Sequence, residues 1–302
     1  MKLAVSALCF GCEPLGGRDW GDVDISAIEI AIRDSVELGV NFFDTAAVYG
    51  LGDSERRLSI ALGSHRHDVV IATKGGLGWS AARADGRARV LRDSSRSSIR
   101  LGVEDSLRRL RLNRLPIFYV HWPDDRIDFA ETFGELNELQ DRQLIAAVGV
   151  SNFSVPQIQM ASRHCRVDYL QIPVNCLSPT EIDSFSAYCL ANGISIVAYN
   201  VLARGLLTGK LTESESFPAS DRRSRLPQFQ RDALSLSLAE VRAVAESARV
   251  VGKSLVEYAF SWVLERPAVV SAIAGIKNSQ QLRENWLAVQ CVARGDDIYG
   301  YF

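Results

Sequence analysis

Short apolar runs rich in β-branched and aromatic residues recur along the chain, each followed by a longer stretch with the spacing of an amphipathic helix. Eight such runs are present: LAVSALCF near the start, NFFDTA from Asn41, VVIAT from Val69, IFYVHW from Ile117, IAAVGVSN from Ile145, DYLQIPVN from Asp168, SIVAYN from Ser195 and VVSAIAG from Val269. Residues 97 to 112 illustrate the helical spacing, since Ile99, Val103, Leu107 and Leu110 fall at i, i+4, i+8 and i+11 and leave Arg100, Arg108 and Arg109 for the wet side. Near-continuous apolar strands alternating with helices predict a parallel sheet covered by helices. Eight such units predict an α/β fold, a closed (β/α)8 TIM barrel forming a single domain over residues 1–302. A doubly wound sheet would carry a G-x-G-x-x-G turn after its first strand, and none occurs.

Two segments break the alternation: residues 78 to 96, rich in Arg, Ala, Ser and Gly, and residues 203 to 232, rich in Arg, Ser and Pro. Both follow strands, so in a barrel they lie on the C-terminal face and are candidate lids. Composition adds exclusions. With 34 Lys+Arg against 36 Asp+Glu the net charge is −2, which argues against a nucleic-acid partner. No run approaches the ~18 apolar residues that a membrane span needs, and the short first run reads as a strand rather than a cleavable leader. Six scattered cysteines suit a reducing cytoplasm and predict no structural disulfide. Cys9-Phe10-Gly11-Cys12 lacks the further ligands that zinc requires and does not open a helix as a redox pair would, and His65-Arg66-His67 precedes a strand, away from the mouth; no metal is expected.

Reactive side chains stand where the predicted strands end: Asp44 with Tyr49 five residues on, Lys74, and His121 followed by Trp122. Around them lie GVNFFDTAAVYG, IATKGG, YVHWPD, VGVSNF, the Gln171-to-Asn175 stretch, ARGLLTGKL and GIKNSQQLREN. In these motifs and their order the chain resembles the aldo-keto reductase superfamily almost end to end. The resemblance implies a barrel that holds NADP(H) without a Rossmann domain and reversibly reduces an aldehyde or ketone to an alcohol, with Asp44, Tyr49, Lys74 and His121 as its catalytic tetrad. It places Ser151, Asn152 and Gln171 on the nicotinamide amide and Tyr199 beneath the ring. Asn200, Leu202 and Gly205 would belong to the turn whose amides face the pyrophosphate, with Arg204 and Lys210 as its cationic partners. Gly275, Lys277, Gln281, Glu284 and Asn285 would hold the adenosine end, Lys277 favouring NADPH through the ribose 2′-phosphate. The chain departs from the family pattern at Asn200-Val201, where Ser-Pro is usual, and at Val174, where tyrosine is common.

The chemistry is consistent with those roles. Hydride delivery to a carbonyl carbon generates an alkoxide, so a proton donor must lie within hydrogen-bond reach of the oxygen. Tyr49 is the expected acid. A phenol has a pKa of about 10, and a neighbouring Lys74 ammonium is expected to favour its ionised form. Asp44 would hold Lys74 charged and oriented, and His121 would orient the carbonyl and stabilise developing negative charge. A small carbonyl or alcohol is the expected partner, with Trp20, Trp79 and Trp122 lining the mouth. Arg83, Arg87, Arg89, Arg92 and Arg96 against Asp85 and Asp93 could steer an anionic substrate or form a solvated face. Two rival readings are a Schiff-base lyase with Lys74 as nucleophile and a non-catalytic NADP(H)-binding regulatory subunit.

Overall fold

A computed structural model of the chain describes residues 3–80, 88–179 and 182–293. Its strands, in chain order, are β1 (Leu8–Gly11), β2 (Phe42–Asp44), β3 (Val70–Gly75), β4 (Leu77–Trp79), β5 (Val90–Arg92), β6 (Leu115–Val120), β7 (Ile145–Ser151), β8 (Tyr169–Pro173), β9 (Ser195–Tyr199) and β10 (Val269–Gly275). Eight of these close into a parallel barrel in the order β1-β10-β9-β8-β7-β6-β3-β2, and each falls on one of the eight apolar runs. The barrel shuts by pairing its first and last strands, with Leu8 opposite Ala272 and Gly11 opposite Gly275. β4 and β5 form a separate antiparallel hairpin inside the first of the two irregular segments.

The helices are α1 (Ile25–Glu37), α2 (Asp53–Leu62), α3 (Arg96–Leu110), α4 (Phe129–Asp141), α5 (Val155–Ala161), α6 (Ile182–Asn192), α7 (Arg231–Val250), α8 (Leu255–Leu264) and α9 (Ser279–Ala293). Their starts follow from capping chemistry. Asp24 accepts from the Ala27 amide, and Ser254 with Glu257 forms a reciprocal capping box. α3 buries Ile99, Val103 and Leu110, and Arg111 in the left-handed region ends it. Among the described residues no helix is long and apolar enough to cross a membrane.

The two-residue period of a strand explains how the barrel makes a site. One parity faces outward: Phe10, Phe43, Ile71, Phe118, Val148, Leu170 and Ile196 pack in the layer beneath the helices. The other parity fills the barrel interior with Cys9, Phe42, Ala72, Ile117, Tyr119, Ala147, Tyr169 and Val197. Gly149 belongs to this inner set because a Cβ there would lie 2.3 Å from the Tyr119 ring. Carried one step further along each strand, the inner parity reaches Asp44, Lys74, His121, Ser151, Gln171 and Tyr199. The alternation that builds the core therefore delivers polar side chains to one mouth. It also separates Cys9, in the interior cluster, from Cys12, in the outer one.

Candidate active site

Lys74 is the centre of the site. Its side chain is fully buried, and Nζ donates to Asp44 Oδ1 at 2.6 Å and to the Thr45 carbonyl at 2.9 Å, with Tyr49 Oη at 3.5 Å. Gln171 Nε2 donates to the second Asp44 oxygen at 2.7 Å, so both oxygens of that buried carboxylate are engaged. A charge taken out of water needs such partners, because an unpaired one costs several kcal/mol. The Tyr49 and His121 rings meet edge-on, with centroids 5.9 Å apart and planes at 85°. The four side chains assigned to the tetrad from sequence thus come together.

Tyr49 owes its position to an unusual turn. Gly50, Leu51 and Gly52 all take positive φ, at 60°, 57° and 97°, which is ordinary for glycine but at Leu51 a strain that the surroundings must impose. Gly50 stacks on Gly16 of the turn Pro14–Gly16 so closely that a Cβ at Gly50 would lie 2.3 Å from the Gly16 carbonyl oxygen. The first turn of α2 then ties neighbouring strand ends together. Ser54 Oγ donates to the Cys12 carbonyl and shares a 2.8 Å hydrogen bond with Thr45 Oγ1, while the buried Glu55 carboxylate accepts from Thr73 Oγ1 at 2.6 Å and from Arg109 Nε at 2.5 Å.

Burial, followed by the carboxylates of Glu13 and Asp44, pushes the Tyr49 phenol well above its ordinary value, with Arg222 opposing. This reverses the direction expected from sequence. The Lys74 ammonium is already paired with Asp44, so its field at the phenol is largely cancelled and desolvation prevails. Burial and then the Lys74 charge hold His121 well below the usual imidazole range, so it is neutral at pH 7. Its buried Nδ1 has no hydrogen-bond partner among the described residues.

The residues assigned to a dinucleotide lie at the C-terminal ends of β7, β8, β9 and β10 and in the segments that follow. Asn152, at φ 64°, gives its Nδ2 to the His121 carbonyl and receives the Tyr199 hydroxyl on Oδ1 at 2.8 Å. Ser151 is buried and accepts from Asn152 Nδ2 at 3.0 Å. Gln171 has committed its amide nitrogen to Asp44. Beyond Tyr199 the backbone enters the left-handed region at Asn200 and again at Ala203, Arg204 and Gly205, with Leu202 capping the turn between. Asparagine tolerates that region, which accounts for the departure from Ser-Pro.

Burial and then the neighbouring Arg222 charge lower the pKa of the half-buried Arg204, and no carboxylate lies within ion-pair distance of it among the described residues. A cation in that setting fits an anionic group, and consecutive left-handed residues turn backbone amides toward one. Lys210 pairs with Glu284 at 2.7 Å. Lys277 is half-buried, its Nζ on the Trp20 carbonyl at 2.9 Å and its own amide on Gln281 Oε1. Gly275 is exposed at the end of β10, and Asn285 is buried on α9.

Trp20 lies under the second irregular segment, within 6.0 Å of the Arg222, Arg223 and Lys277 cations, with its buried Nε1 unpartnered among the described residues. Trp79 sits on β4, whereas Trp122 is exposed beneath the Arg92 guanidinium and, with Leu77, Val90, Leu91 and Arg92, lines a shallow depression of about 210 Å³. The arginine patch is divided as well: Arg96 pairs with Glu138 at 2.9 Å, Arg92 donates to the Pro123 carbonyl, and Arg83, Asp85 and Arg87 lie outside the described residues. The other irregular segment is a strap rather than a free lid. It crosses to the β1–α1 loop through the Arg222 amide on the Asp19 carbonyl, Arg225 on Asp19, and Arg222 on Glu13. Sequence reasoning named neither Glu13 nor Arg222, although Glu13 follows the end of the first strand and Arg222 lies in the second irregular segment, both on the C-terminal face of the barrel.

A family model described as the aldo/keto reductase family matches residues 7–298. The chain belongs to the aldo/keto reductase family. It is 32% identical over 283 residues to the aldo-keto reductase YhdN of Bacillus subtilis, covering 93% of this chain and 84% of the relative. To the NADH-specific methylglyoxal reductase of Escherichia coli it is 29% identical, covering 91% and 86%. The glycerol dehydrogenase structure from Gluconobacter oxydans superimposes with a TM-score of 0.84 at 32% identity, over 100% of this chain and 95% of that one. As an aldo/keto reductase the chain is a member of an oxidoreductase family whose proteins bind a nicotinamide cofactor, and its closed eight-stranded barrel is that family's fold.

Proposed function

We propose that this aldo/keto reductase uses NADPH to reduce an aldehyde or ketone to an alcohol, with Tyr49 as the general acid. The observation that carries the reading is the Asp44–Lys74–Tyr49 chain, at 2.6 and 3.5 Å, meeting the edge of His121 at the barrel mouth. The bound dinucleotide supplies the hydride. Tyr49, a neutral phenol throughout the physiological range, donates its proton to the oxygen as negative charge develops there. Lys74, fixed by Asp44, gives that phenol a nearby positive charge at the moment it begins to ionise. His121 is neutral, so it acts as a hydrogen-bonding orienter of the carbonyl rather than as a competing acid.

Ser151, Asn152 and the Gln171 oxygen would hold the nicotinamide amide, and the Tyr199 face would carry its ring. Arg204 and Lys210 would take the pyrophosphate, the strained Asn200-to-Gly205 turn contributing amides. Gly275, Gln281, Glu284 and Asn285 would surround the adenosine, with Lys277 beside the 2′-phosphate. The methylglyoxal reductase relative is NADH-specific, so the preference for NADPH rests on the Lys277 cation alone. A lyase role for Lys74 is disfavoured, because an amine buried on a carboxylate and a carbonyl cannot reach a substrate carbon. The deciding experiment follows nicotinamide absorbance with a panel of aldehydes and ketones. Tyr49→Phe is expected to lower kcat by about 10² to 10⁴-fold while NADPH affinity stays within a few fold. Unchanged turnover removes Tyr49 from the acid role, and tight NADPH binding without turnover favours a non-catalytic subunit.

A further inference from the structure

We infer that Glu55 is a positioning residue for the reduction: pinned to Thr73, it fixes the distance between the Tyr49 phenol and the Lys74 ammonium. This role rests on the reductase reading above. Glu55 touches no member of the tetrad, yet it is a fully buried carboxylate in the first turn of α2. Its two oxygens are divided between separate elements, Oε1 accepting from Thr73 Oγ1 on β3 at 2.6 Å and Oε2 from Arg109 Nε on α3 at 2.5 Å. Both partners adjoin the tetrad. Thr73 precedes Lys74 on β3 and continues the outward parity of Ile71, as Lys74 continues the inward parity of Ala72. Arg109 lies so close to the Tyr49 turn that a Cβ at Gly52 would stand 2.9 Å from its Cδ.

The connection is short at either end. Only the Gly50-to-Ser54 segment separates Tyr49 from Glu55, and Lys74 follows Thr73 directly. Backbone bonds fasten the same stretch of β3 to the chain between Asp44 and Tyr49: the Thr45 amide donates to the Ala72 carbonyl at 2.8 Å and the Ala47 amide to the Lys74 carbonyl at 3.3 Å. Ala72, Thr73 and Lys74 are therefore all tied to the piece of chain that carries Tyr49, Thr73 by its side chain. The reach from Lys74 Nζ to Tyr49 Oη is 3.5 Å, the outer limit of a hydrogen bond, so a small displacement of either breaks it. Misplacement by about 1 Å can cost about a hundredfold in rate. Apolar side chains of similar volume would fasten α2 to β3 without burying a charge. A carboxylate that accepts on both oxygens adds direction, which packing lacks.

Thr73→Val removes the hydroxyl at nearly constant shape and leaves the Glu55–Arg109 pair in place, and Thr73→Ser puts a hydroxyl back. With NADPH and methylglyoxal or benzaldehyde as the carbonyl probe, kcat of Thr73→Val should fall tenfold or more while both KM values stay within threefold. Its solvent deuterium isotope effect on kcat should rise, since proton delivery from a displaced phenol slows relative to every other step. That ratio does not depend on how much of the enzyme is folded, so a merely structural role would not move it. Thr73→Ser should return kcat to within threefold of wild type. A smaller fall in Thr73→Val, a loss confined to KM, an unchanged isotope effect or no recovery in Thr73→Ser each overturns the inference. Glu55→Asp keeps the charge but is one methylene too short to serve both partners, so it should reproduce the fall and the raised isotope effect; it carries the test where Thr73→Val does not fold. A readout without turnover is the 13C resonance of the Tyr49 ring carbon that bears the hydroxyl, assigned by its loss in Tyr49→Phe. It should shift in Thr73→Val and return in Thr73→Ser. Where no carbonyl is reduced by the wild type the reductase reading fails, and the resonance then decides separately whether Glu55 holds Tyr49, an unmoved one overturning it.

Discussion

Replacing Asp44 with asparagine keeps the shape of the side chain and an oxygen for Gln171, but removes the charge opposite Lys74. The Lys74 ammonium then stays enclosed with only the Thr45 carbonyl at 2.9 Å and the Tyr49 hydroxyl at 3.5 Å. Breaking one side of a buried pair costs about 3–5 kcal/mol, and the surviving carbonyl contact sets the expectation at the lower end, about 3 kcal/mol. With a urea slope of about 3 kcal/mol/M, the unfolding midpoint should fall by about 1 M. Lys74→Met leaves the mirror-image defect, an uncompensated carboxylate. The double variant has no buried charge at this site, so it should be more stable than the sum of the two single changes by about 2 kcal/mol or more. Equilibrium urea unfolding of the four proteins at one pH, followed by tryptophan fluorescence and circular dichroism, closes the cycle. A single-variant cost under about 1 kcal/mol, or additivity within about 0.5 kcal/mol, would refute the claim that this pair is electrostatically committed.

Other expectations follow from the same geometry. His121 is held below its unfolded value of about 6.5, so the unfolded chain gains a proton first as pH falls, and stability is lost from pH 6.5 downward, a dependence that His121→Gln should abolish in matched urea titrations. Gly16→Ala places a methyl against the backbone of the Tyr49 turn, and kcat should drop by at least about tenfold while unfolding free energy falls by about 1–3 kcal/mol; a variant with native kcat would show that the turn need not be tightly held. Lys277→Ala should raise the KM for NADPH more than that for NADH. Equal effects on the two cofactors would remove the 2′-phosphate role and leave Lys277 as a support for the Trp20 carbonyl.

Which features could be read in advance follows from how far apart their determinants lie along the chain. The eight barrel strands were legible because strands buried on both faces are almost continuously apolar, and because Asp44, Lys74 and His121 break those runs where each strand ends. The β4–β5 hairpin was not, since Val90, Leu91 and Arg92 are all exposed and show no alternation to separate them from a loop. The Glu13–Arg222 pair joins residues 209 positions apart, so only the folded strap reveals it. Trp20 stands beside Arg222, Arg223 and Lys277, a setting made by the strap that no local pattern announces. The direction of the Tyr49 shift was missed for a related reason. Sequence showed a lysine near a phenol and a carboxylate to pair with that lysine, but not how far burial would outweigh the ammonium, nor that Glu13 would add its charge.

The pairing of β1 with β10 also governs how the protein is made. Leu8 cannot meet Ala272 until nearly the whole polypeptide has left the ribosome, so on one side the earliest strand waits with its amides and carbonyls bare. Truncation between Tyr199 and Val269 would leave β1 and β9 as two open sheet edges, the kind of surface that recruits other chains. Shortened products of this gene should accumulate as insoluble aggregates rather than as smaller working barrels.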